Sequence, residues 1–261
     1  MQLSGARILL TGASGGLGRA LAPQLSAGGA ALLLTGRDSQ RLAGLVPRPG
    51  GEVASLAADL DDPAGLAAVV AAARQFKVNV LINNAGIGCF GLLEEQSWPD
   101  LGQVLKTNLE SPMRLTHALL PWLTAQPQAA IVNVGSTFGS LPFPGFAAYS
   151  AAKAGLRGFS QALRRELADS PVRVLHLAPR AIDTPLNSPA VNALNRHLGN
   201  RSDHPEDVAR QIVRALQKDE RERHIGFPER LFAWVNGVAP QLIDRALAGK
   251  LAAIKKHASS Q

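Results

Sequence analysis

A phenol and an ammonium spaced one helical turn apart are the residues of this chain best placed to do chemistry. Tyr149 and Lys153 stand four residues apart in an Ala-rich segment, Ala147-Ala148-Tyr149-Ser150-Ala151-Ala152-Lys153. Ala favours helix, and residues i and i+4 share one helical face. A lysine ammonium near a phenol favours the phenolate, so the Tyr149 pKa is expected to fall from its usual ~10. A tyrosine tuned in this way gives or takes a proton near neutral pH. Ser136 lies upstream, just past the apolar run Ala130-Ile131-Val132-Asn133-Val134, which reads as a buried parallel strand. That puts Ser136 at a strand's carboxyl end, where open α/β sheets bind and transform their ligands. Pro142 and Pro144 make the connection a loop that can fold back over a site. Tyr-x-x-x-Lys alone is also ordinary decoration of a helix surface, so the elements around it have to decide.

Those elements begin with the apolar run Ala6–Leu10, followed by Thr11-Gly12-Ala13-Ser14-Gly15-Gly16-Leu17-Gly18 and an amphipathic stretch, Arg19 to Ala27. Strand, glycine-rich turn and helix place a pyrophosphate on a helix N-terminus, where free N–H groups and the dipole meet it. Gly12 makes the turn, Gly16 allows close backbone approach, and Gly18 lets helix and strand pack tightly. The spacing is Gly-x-x-x-Gly-x-Gly rather than the commoner Gly-x-Gly-x-x-Gly. A second strand, Ala30–Thr35, ends in Gly36-Arg37-Asp38. NAD-binding proteins put an acid here for the ribose hydroxyls, whereas an Arg accommodates a 2′-phosphate. With Gly36 in the acidic place and Arg37 next to it, NADP(H) is favoured over NAD. The competing reading has Arg37 solvated while Asp38 caps the next helix.

A third strand, Glu52–Ala57, leads to Asp59-Leu60 and a helix over Pro63–Gln75 with Asp61 or Asp62 as its N-cap. The fourth, Val78–Ile82, runs into Asn83-Asn84-Ala85-Gly86, which either lets the backbone approach a sugar or nicotinamide or is a plain turn. Cys89 reads as a packed small hydrophobe, since no basic neighbour would form its thiolate. Trp98–Leu120 is helical in pattern with an interruption near Ser111-Pro112, and holds Asn108 among apolar neighbours. That Asn is either a satisfied buried amide or a residue that bends the helix and holds a water. Helix then continues to Ala168, strand six spans Val172–Leu177, and Asn187–Ser202, polar without clear period, reads as a mobile lid. A helix near Pro205–Gln217 and a short strand around His224–Phe227 follow. Strands and helices alternate with no repeat and no linker, predicting a single-domain α/β protein, a Rossmann-type doubly wound parallel sheet.

Composition bounds the rest. The 261 residues are 46% hydrophobic, and Cys89 is the one cysteine, so no intrachain disulfide forms. No signal peptide is evident at the start, and no apolar run reaches the ~20 residues of a spanning helix. A cytoplasmic protein is expected. The net charge of +7 comes from scattered basic residues without interleaved aromatics, which argues for an anionic small ligand rather than nucleic acid.

Taken together, Thr11-Gly-x-x-x-Gly16-x-Gly18, Asn83-Asn84-Ala85-Gly86, Ser136 and Tyr149-x-x-x-Lys153 resemble the short-chain dehydrogenase/reductase family over roughly residues 5 to 230. The resemblance implies Tyr149 as general acid/base, with Lys153 lowering its pKa and holding the nicotinamide ribose. It also implies Ser136 orienting the substrate oxygen and Asn108 a water in the proton relay. Asp59 looks like the residue that contacts adenine. Cofactor contact is expected at Thr11, Gly12, Ser14, Gly15, Gly16, Leu17, Gly18, Arg37, Asp59, Leu60, Asn83, Ala85, Gly86, Tyr149, Lys153, Pro179, Arg180, Ile182 and Thr184. No metal is expected. Where the family usually carries Pro-Gly after strand six, this chain has Pro179-Arg180. Arg180 either points to solvent or binds an anionic group at the substrate mouth.

The expected function is NADP(H)-dependent hydride transfer between nicotinamide and a carbonyl or secondary alcohol. Phe90, Leu141, Phe143, Phe146 and Leu186 would line an apolar pocket for a hydrophobic small molecule. The alternative is an NADP-binding sensor that keeps the fold with little turnover; epimerisation or dehydration is a third reading. From residue 228 to 261 an amphipathic extension carries a stripe at Leu231, Trp234, Val235, Val238, Leu242, Ala246, Leu247 and Ile254, which Pro240 should kink or divide. Packing on its own subunit leads. A homodimer or homotetramer contact comes second, and an anionic membrane surface, in peripheral contact, third.

Overall fold

The computed structural model describes residues 1–45 and 52–259. Seven parallel strands form one sheet in the order β3-β2-β1-β4-β5-β6-β7. They are β1 (Arg7–Thr11), β2 (Ala31–Gly36), β3 (Val53–Ala57), β4 (Val80–Asn83), β5 (Ala129–Val134), β6 (Val172–Pro179) and β7 (Glu222–Ile225). The helices are α1 (Gly16–Ala27), α2 (Ser39–Ala43), α3 (Pro63–Gln75), α4 (Trp98–Leu105), α5 (Ser111–Thr124), α6 (Ala147–Glu166), α7 (Pro189–Leu198), α8 (Pro205–Lys218), α9 (Glu229–Val238), α10 (Pro240–Ala248) and α11 (Leu251–Ala258).

The central strands are apolar along most of their length because both of their faces are covered. On one face Ile8, Leu10, Leu32, Val80 and Val132 pack with the buried sides of α1 and α8. On the other, Leu9, Leu33, Leu81 and Ile131 pack with α3, α5 and the end of α6. Strand order reverses between β1 and β4, which opens a crevice at their carboxyl ends. The predicted fold class is the one observed.

Several boundaries differ from expectation, each for a local reason. α1 begins at Gly16 rather than Arg19, inside the glycine turn, with Gly15 as its N-cap. Asp62 caps α3 by accepting from the Gly65 N–H at 2.9 Å, which leaves Asp61 free for another task. The helix break falls before Ser111: residues Lys106–Glu110 form a π-helical turn joining α4 to α5, and Pro112 sits harmlessly at the start of α5. The segment read as a mobile lid contains helix α7, capped by the Ser188 hydroxyl accepting from Val191 N and closed by Gly199 in the left-handed region. Its apolar face, Val191 and Leu194, is buried.

Pro240 divides the C-terminal extension, and Gly249–Lys250 divides it again, giving α9, α10 and α11; residues 260 and 261 lie outside the described residues. Ile254 and Ala258 of α11 bury themselves beside Val191 and Leu194 of α7, so this part packs on its own subunit. Leu231, Trp234, Val238 and Leu242 of α9 and α10 remain exposed. Among the described residues no helix is long and apolar enough to cross a membrane.

Candidate active site

A cavity of about 1160 Å³ opens along the carboxyl ends of the strands and takes in the glycine turn, Ser136, Tyr149 and Lys153. Each wall has an identifiable local cause.

At the diphosphate end, Gly12 has φ +62°, and a Cβ there would lie 2.7 Å from Ala85 Cα; at Gly18 a Cβ would lie 2.7 Å from Ala13 Cα. Only glycine fits both places. A Cβ on Gly16 would run into Thr184, so the segment after β6 rests directly on the turn. The N-cap Gly15 offers no side-chain acceptor and the first turn of α1 holds no acid. The α1 N-terminus therefore presents unneutralised N–H groups to a phosphate. These features fit a dinucleotide.

Thr11 ties β1 to β4. Its hydroxyl accepts from Asn84 N at 2.9 Å and Ala85 N at 3.0 Å, while the Asn84 amide donates to Thr11 O at 2.9 Å. The Asn83 side chain turns the other way. Its Nδ2 donates to Asn133 Oδ1 at 2.8 Å and Thr116 Oγ1 at 3.2 Å, and Asn133 Nδ2 donates onward to Ser160 Oγ at 2.8 Å. Asn83 lines the cavity, but its amide belongs to this buried chain, which spans β4, β5, α5 and α6. The small-residue cluster read as an approach to cofactor is thus a latch whose Ala85 and Gly86 face the cavity.

At the adenosine end, Gly36, Arg37, Asp59 and Leu60 line the cavity. The Asp38 carboxylate caps α2 by accepting from Arg41 N at 3.0 Å, so the capping reading of Asp38 holds without removing Arg37 from the site. Arg41, which the sequence reading passed over, lines the same end. Its spacing of four from Arg37 was the available signal. No ion pair among the described residues engages either arginine.

The π-helical turn places Asn108. Its Nδ2 donates to Ile87 O at 2.8 Å and its Oδ1 accepts from Ile87 N at 3.2 Å, so both readings of this residue hold in part: a satisfied buried amide at a helix deformation. A Cβ on Gly86 would come 2.7 Å from that Oδ1 and 3.7 Å from Lys153 Nζ, which sets Asn108 and Lys153 together beside Gly86. Asp61, freed from capping, grips the same turn. It accepts from Ser111 Oγ at 2.6 Å and from Thr107 and Gln103, donors spaced four residues apart along the α4–α5 helix. Sequence spacing hinted at that stripe of donors but not at the acid it meets.

Ser136 follows β5 and caps a 3-10 turn by accepting from Phe138 N at 3.2 Å. α6 carries Tyr149 and Lys153 across from it. Lys153 is buried and donates to Val134 O at 3.0 Å, with Nζ 5.8 Å from the Tyr149 ring centroid. Burial lowers its pKa to about 8. Tyr149 departs from expectation. Burial pushes its pKa above the ordinary tyrosine value, and the Ser136 hydroxyl beside it acts in the opposite direction. Desolvation of the phenolate outweighs that hydrogen bond.

The loop through Pro142 and Pro144 does fold back. Gly91 N donates to Gly145 O at 3.0 Å; Phe138 and Phe146 set their edges against Tyr149, with Phe143 stacked on Phe138 at 5.4 Å and Phe90 against Phe146 at 4.9 Å. Leu141 and Leu186 join them in the cavity wall. Cys89 is half-buried and accepts from Gln96 Nε2 at 3.0 Å, and burial raises its thiol pKa, which fits a packed small side chain.

Pro179, Ile182 and Thr184 line the cavity. Arg180, though it lines the cavity, is neither solvated nor available to an anion. Its guanidinium makes two bonds to Asp203, at 2.6 and 3.0 Å, and reaches Glu229 at 3.1 Å and Phe227 O at 3.0 Å. Gly226, at φ +115°, lies against it; a Cβ there would sit 2.6 Å from Arg180 Cδ. Arg180 itself needs no left-handed backbone. It is a clamp joining β6, the segment after α7 and the start of α9. Arg180→Met keeps the stem and removes the charge, leaving two carboxylates unpaired. The expected loss is roughly 2–4 kcal/mol, below that of a fully buried pair because Asp203 and Glu229 keep some water. It is read as a lower thermal midpoint; an unchanged midpoint would contradict the clamp.

A parallel sheet with a glycine turn at its switch point, and a Ser, Tyr and Lys converging beyond it, defines a dinucleotide-binding oxidoreductase of the doubly wound α/β class. The family described as short chain dehydrogenase matches residues 6–195. The chain is 36% identical over 186 residues to 3-oxoacyl-[acyl-carrier-protein] reductase FabG of Escherichia coli (strain K12), covering 70% of this chain and 76% of that protein. Among solved structures, a short chain dehydrogenase/reductase SDR from Burkholderia phymatum in complex with NAD matches with TM-score 0.84 at 25% identity, covering 93% of this chain and 96% of the other. A short chain dehydrogenase from Burkholderia cenocepacia in complex with NADP matches with TM-score 0.80 at 25% identity, covering 95% and 99%. The protein belongs to the short-chain dehydrogenase/reductase family, whose members are NAD(P)-using oxidoreductases acting on CH–OH and C=O groups.

Proposed function

We propose that the protein is an NADP(H)-dependent reductase of an apolar carbonyl compound, or the reverse alcohol dehydrogenase. The observation that carries this reading is the convergence of Ser136, Tyr149 and Lys153 at one end of a cavity whose other end holds Arg37 and Arg41. Beside Gly36 these arginines suit a 2′-phosphate, and a Cβ at Gly36 would stand 2.8 Å from Ser14 Oγ, leaving little room for an acid. Bound NADPH would supply the hydride. The chain's own residues supply the proton and the geometry. The Ser136 hydroxyl holds the carbonyl oxygen, and Tyr149, protonated at neutral pH because burial raises its pKa, donates its proton as the alkoxide forms. The Lys153 ammonium, fixed by Val134 O, stabilises the phenolate left behind and lies where a ribose hydroxyl would meet it. Asn108, which meets Lys153 beside Gly86, would hold a water that returns the proton. The phenylalanine cluster keeps bulk water from the reacting carbon. A sensor with little turnover has no need of this proton machinery.

A screen of apolar ketones and aldehydes, following NADPH and NADH absorbance, tests the reading. Turnover with NADPH is expected to exceed that with NADH. The pH dependence follows from the two shifts. Reduction uses protonated Tyr149 and charged Lys153, so it stays level through neutrality and falls above about 8 as Lys153 loses its charge. Oxidation needs the phenolate and rises with pH. Reduction that climbs as the medium becomes alkaline would argue against Tyr149 as donor.

A further inference from the structure

The π-helical turn that carries Asn108 is gripped by an acid that takes no part in the proton steps above. Turns of this kind are rare, short and frequent at functional sites. This one occupies Lys106–Glu110, between α4 and α5. A plain α-helix winds by about 100° per residue, and the wider π turn by less. Relaxing the turn to α-helix would therefore rotate Asn108 and α5 against α4.

Asp61 meets the turn on both flanks and in its middle. The buried carboxylate accepts from Gln103 in α4 and from the Thr107 hydroxyl, next in the chain to Asn108. It also accepts from Ser111 Oγ, at the start of α5, at 2.6 Å. Gln103 Nε2 donates to Thr107 Oγ1 as well, at 3.0 Å. In a plain α-helix each step of four drifts by about 40°, so the outer two donors would point about 80° apart. The wider turn draws them back towards one line, where a single carboxylate can take all three. No ion pair among the described residues engages Asp61, so hydrogen bonds from the turn compensate its burial.

The two residues before it stay at the adenosine end. Asp59 and Leu60 line the cavity there. Asp59 Oδ1 accepts from Asp61 N at 3.0 Å, and Leu60 O accepts from Ser111 Oγ at 3.2 Å. Asn108 itself is pinned to Ile87 by two bonds and meets Lys153 beside Gly86.

We propose that Asp61 is a positioning residue: its carboxylate selects the π form of the turn over the α form and so keeps the Asn108 amide beside Lys153. Its effect on turnover rests on the reductase reading; its hold on the turn does not.

Three measurements on the full-length protein test it, with Asp61→Asn as the probe. The amide keeps the shape and the backbone N–H that holds Asp59, but sets a donor of its own among the donors of the turn. NADPH-dependent reduction of an apolar ketone is expected to lose about tenfold in kcat, the weight of one charge-assisted hydrogen bond, with KM and the NADPH dissociation constant within about twofold. In the Asn108→Ala background the same substitution should cost less than about twofold, because the residue it positions is gone. A merely structural role would cost the full loss again. Hydrogen exchange over residues 103–111 should quicken by about tenfold in Asp61→Asn, with exchange in the strands unchanged. Where Asp61→Asn does not fold, Thr107→Val keeps the side chain's shape, removes one donor and is read in the same way, with losses of about threefold.

Wild-type kcat in Asp61→Asn, losses that multiply in the double variant, or unchanged exchange over 103–111 would each overturn the proposal. Carbonyl turnover absent from the wild type, with exchange still quickened over 103–111 alone, would sink the reductase reading and leave Asp61 its hold on the turn. Equal reduction by wild type and Asp61→Asn, with unchanged exchange, would do the reverse.

Discussion

Replacing Tyr149 with Phe is expected to cut turnover by about 10²–10⁴-fold, the usual contribution of a positioned acid–base group, with cofactor affinity close to wild type. The phenyl ring keeps its edge contacts with Phe138 and Phe146, and Lys153 keeps its bond to Val134 O. Only the transferable proton is removed, because the fold around the ring depends on its apolar body. Steady-state rates in both directions and a fluorescence titration with NADPH measure the two quantities separately. Activity within a few-fold of wild type would remove Tyr149 from the role of donor. Weakened NADPH binding alone would make it a binding residue.

The second large effect concerns cofactor choice. Arg37→Asp/Arg41→Asp is expected to weaken NADPH binding by about 10²-fold, taking the low end of the 1.5–3 kcal/mol typical of hydrogen bonds to charged groups for each of two exposed partners. NADH binding should hold or improve, since an acid at position 37 offers an acceptor to the ribose hydroxyls. Both arginines are exposed and α2 is capped by Asp38 rather than by either of them, so the folded state is not at risk. Dissociation constants for NADPH and NADH, measured on wild type and variant, decide the matter. A wild-type preference for NADH would overturn the NADP(H) assignment at once.

Neighbouring residues were enough to specify a good part of this protein. The apolar runs Leu9, Leu33, Leu81 and Ile131 belong to strands buried on both faces, and their alternation with amphipathic stretches allowed one sheet class. The α3 helix from Pro63 to Gln75 was readable to the residue, because an Asp cap and a Pro in the first turn are local signals. Gly12 and Gly18 were legible because backbone crowding at a strand–turn–helix junction is also local. Tyr149 and Lys153 share a helical face by spacing alone.

The remainder depended on which distant groups meet. Nothing near Arg180 in the chain announces Asp203 or Glu229, and only the approach of three segments turns a mouth-lining arginine into a clamp. Asn83 looked like a cofactor contact until Asn133 and Thr116 took its amide. Asp61 looked like a cap until the π-helical turn brought Thr107 and Ser111 to it. The direction of the Tyr149 shift was likewise a tertiary matter. A cation four residues away is visible in the sequence, whereas the desolvation that raises the pKa exists only once the fold has packed Phe138 and Phe146 against the ring. Periodicity and steric crowding act between chain neighbours, so the sequence alone determined the sheet, the glycine turn and the Tyr–Lys pair. Ion pairing and burial act between residues that the chain brings together from far apart, and those the folded protein alone decided.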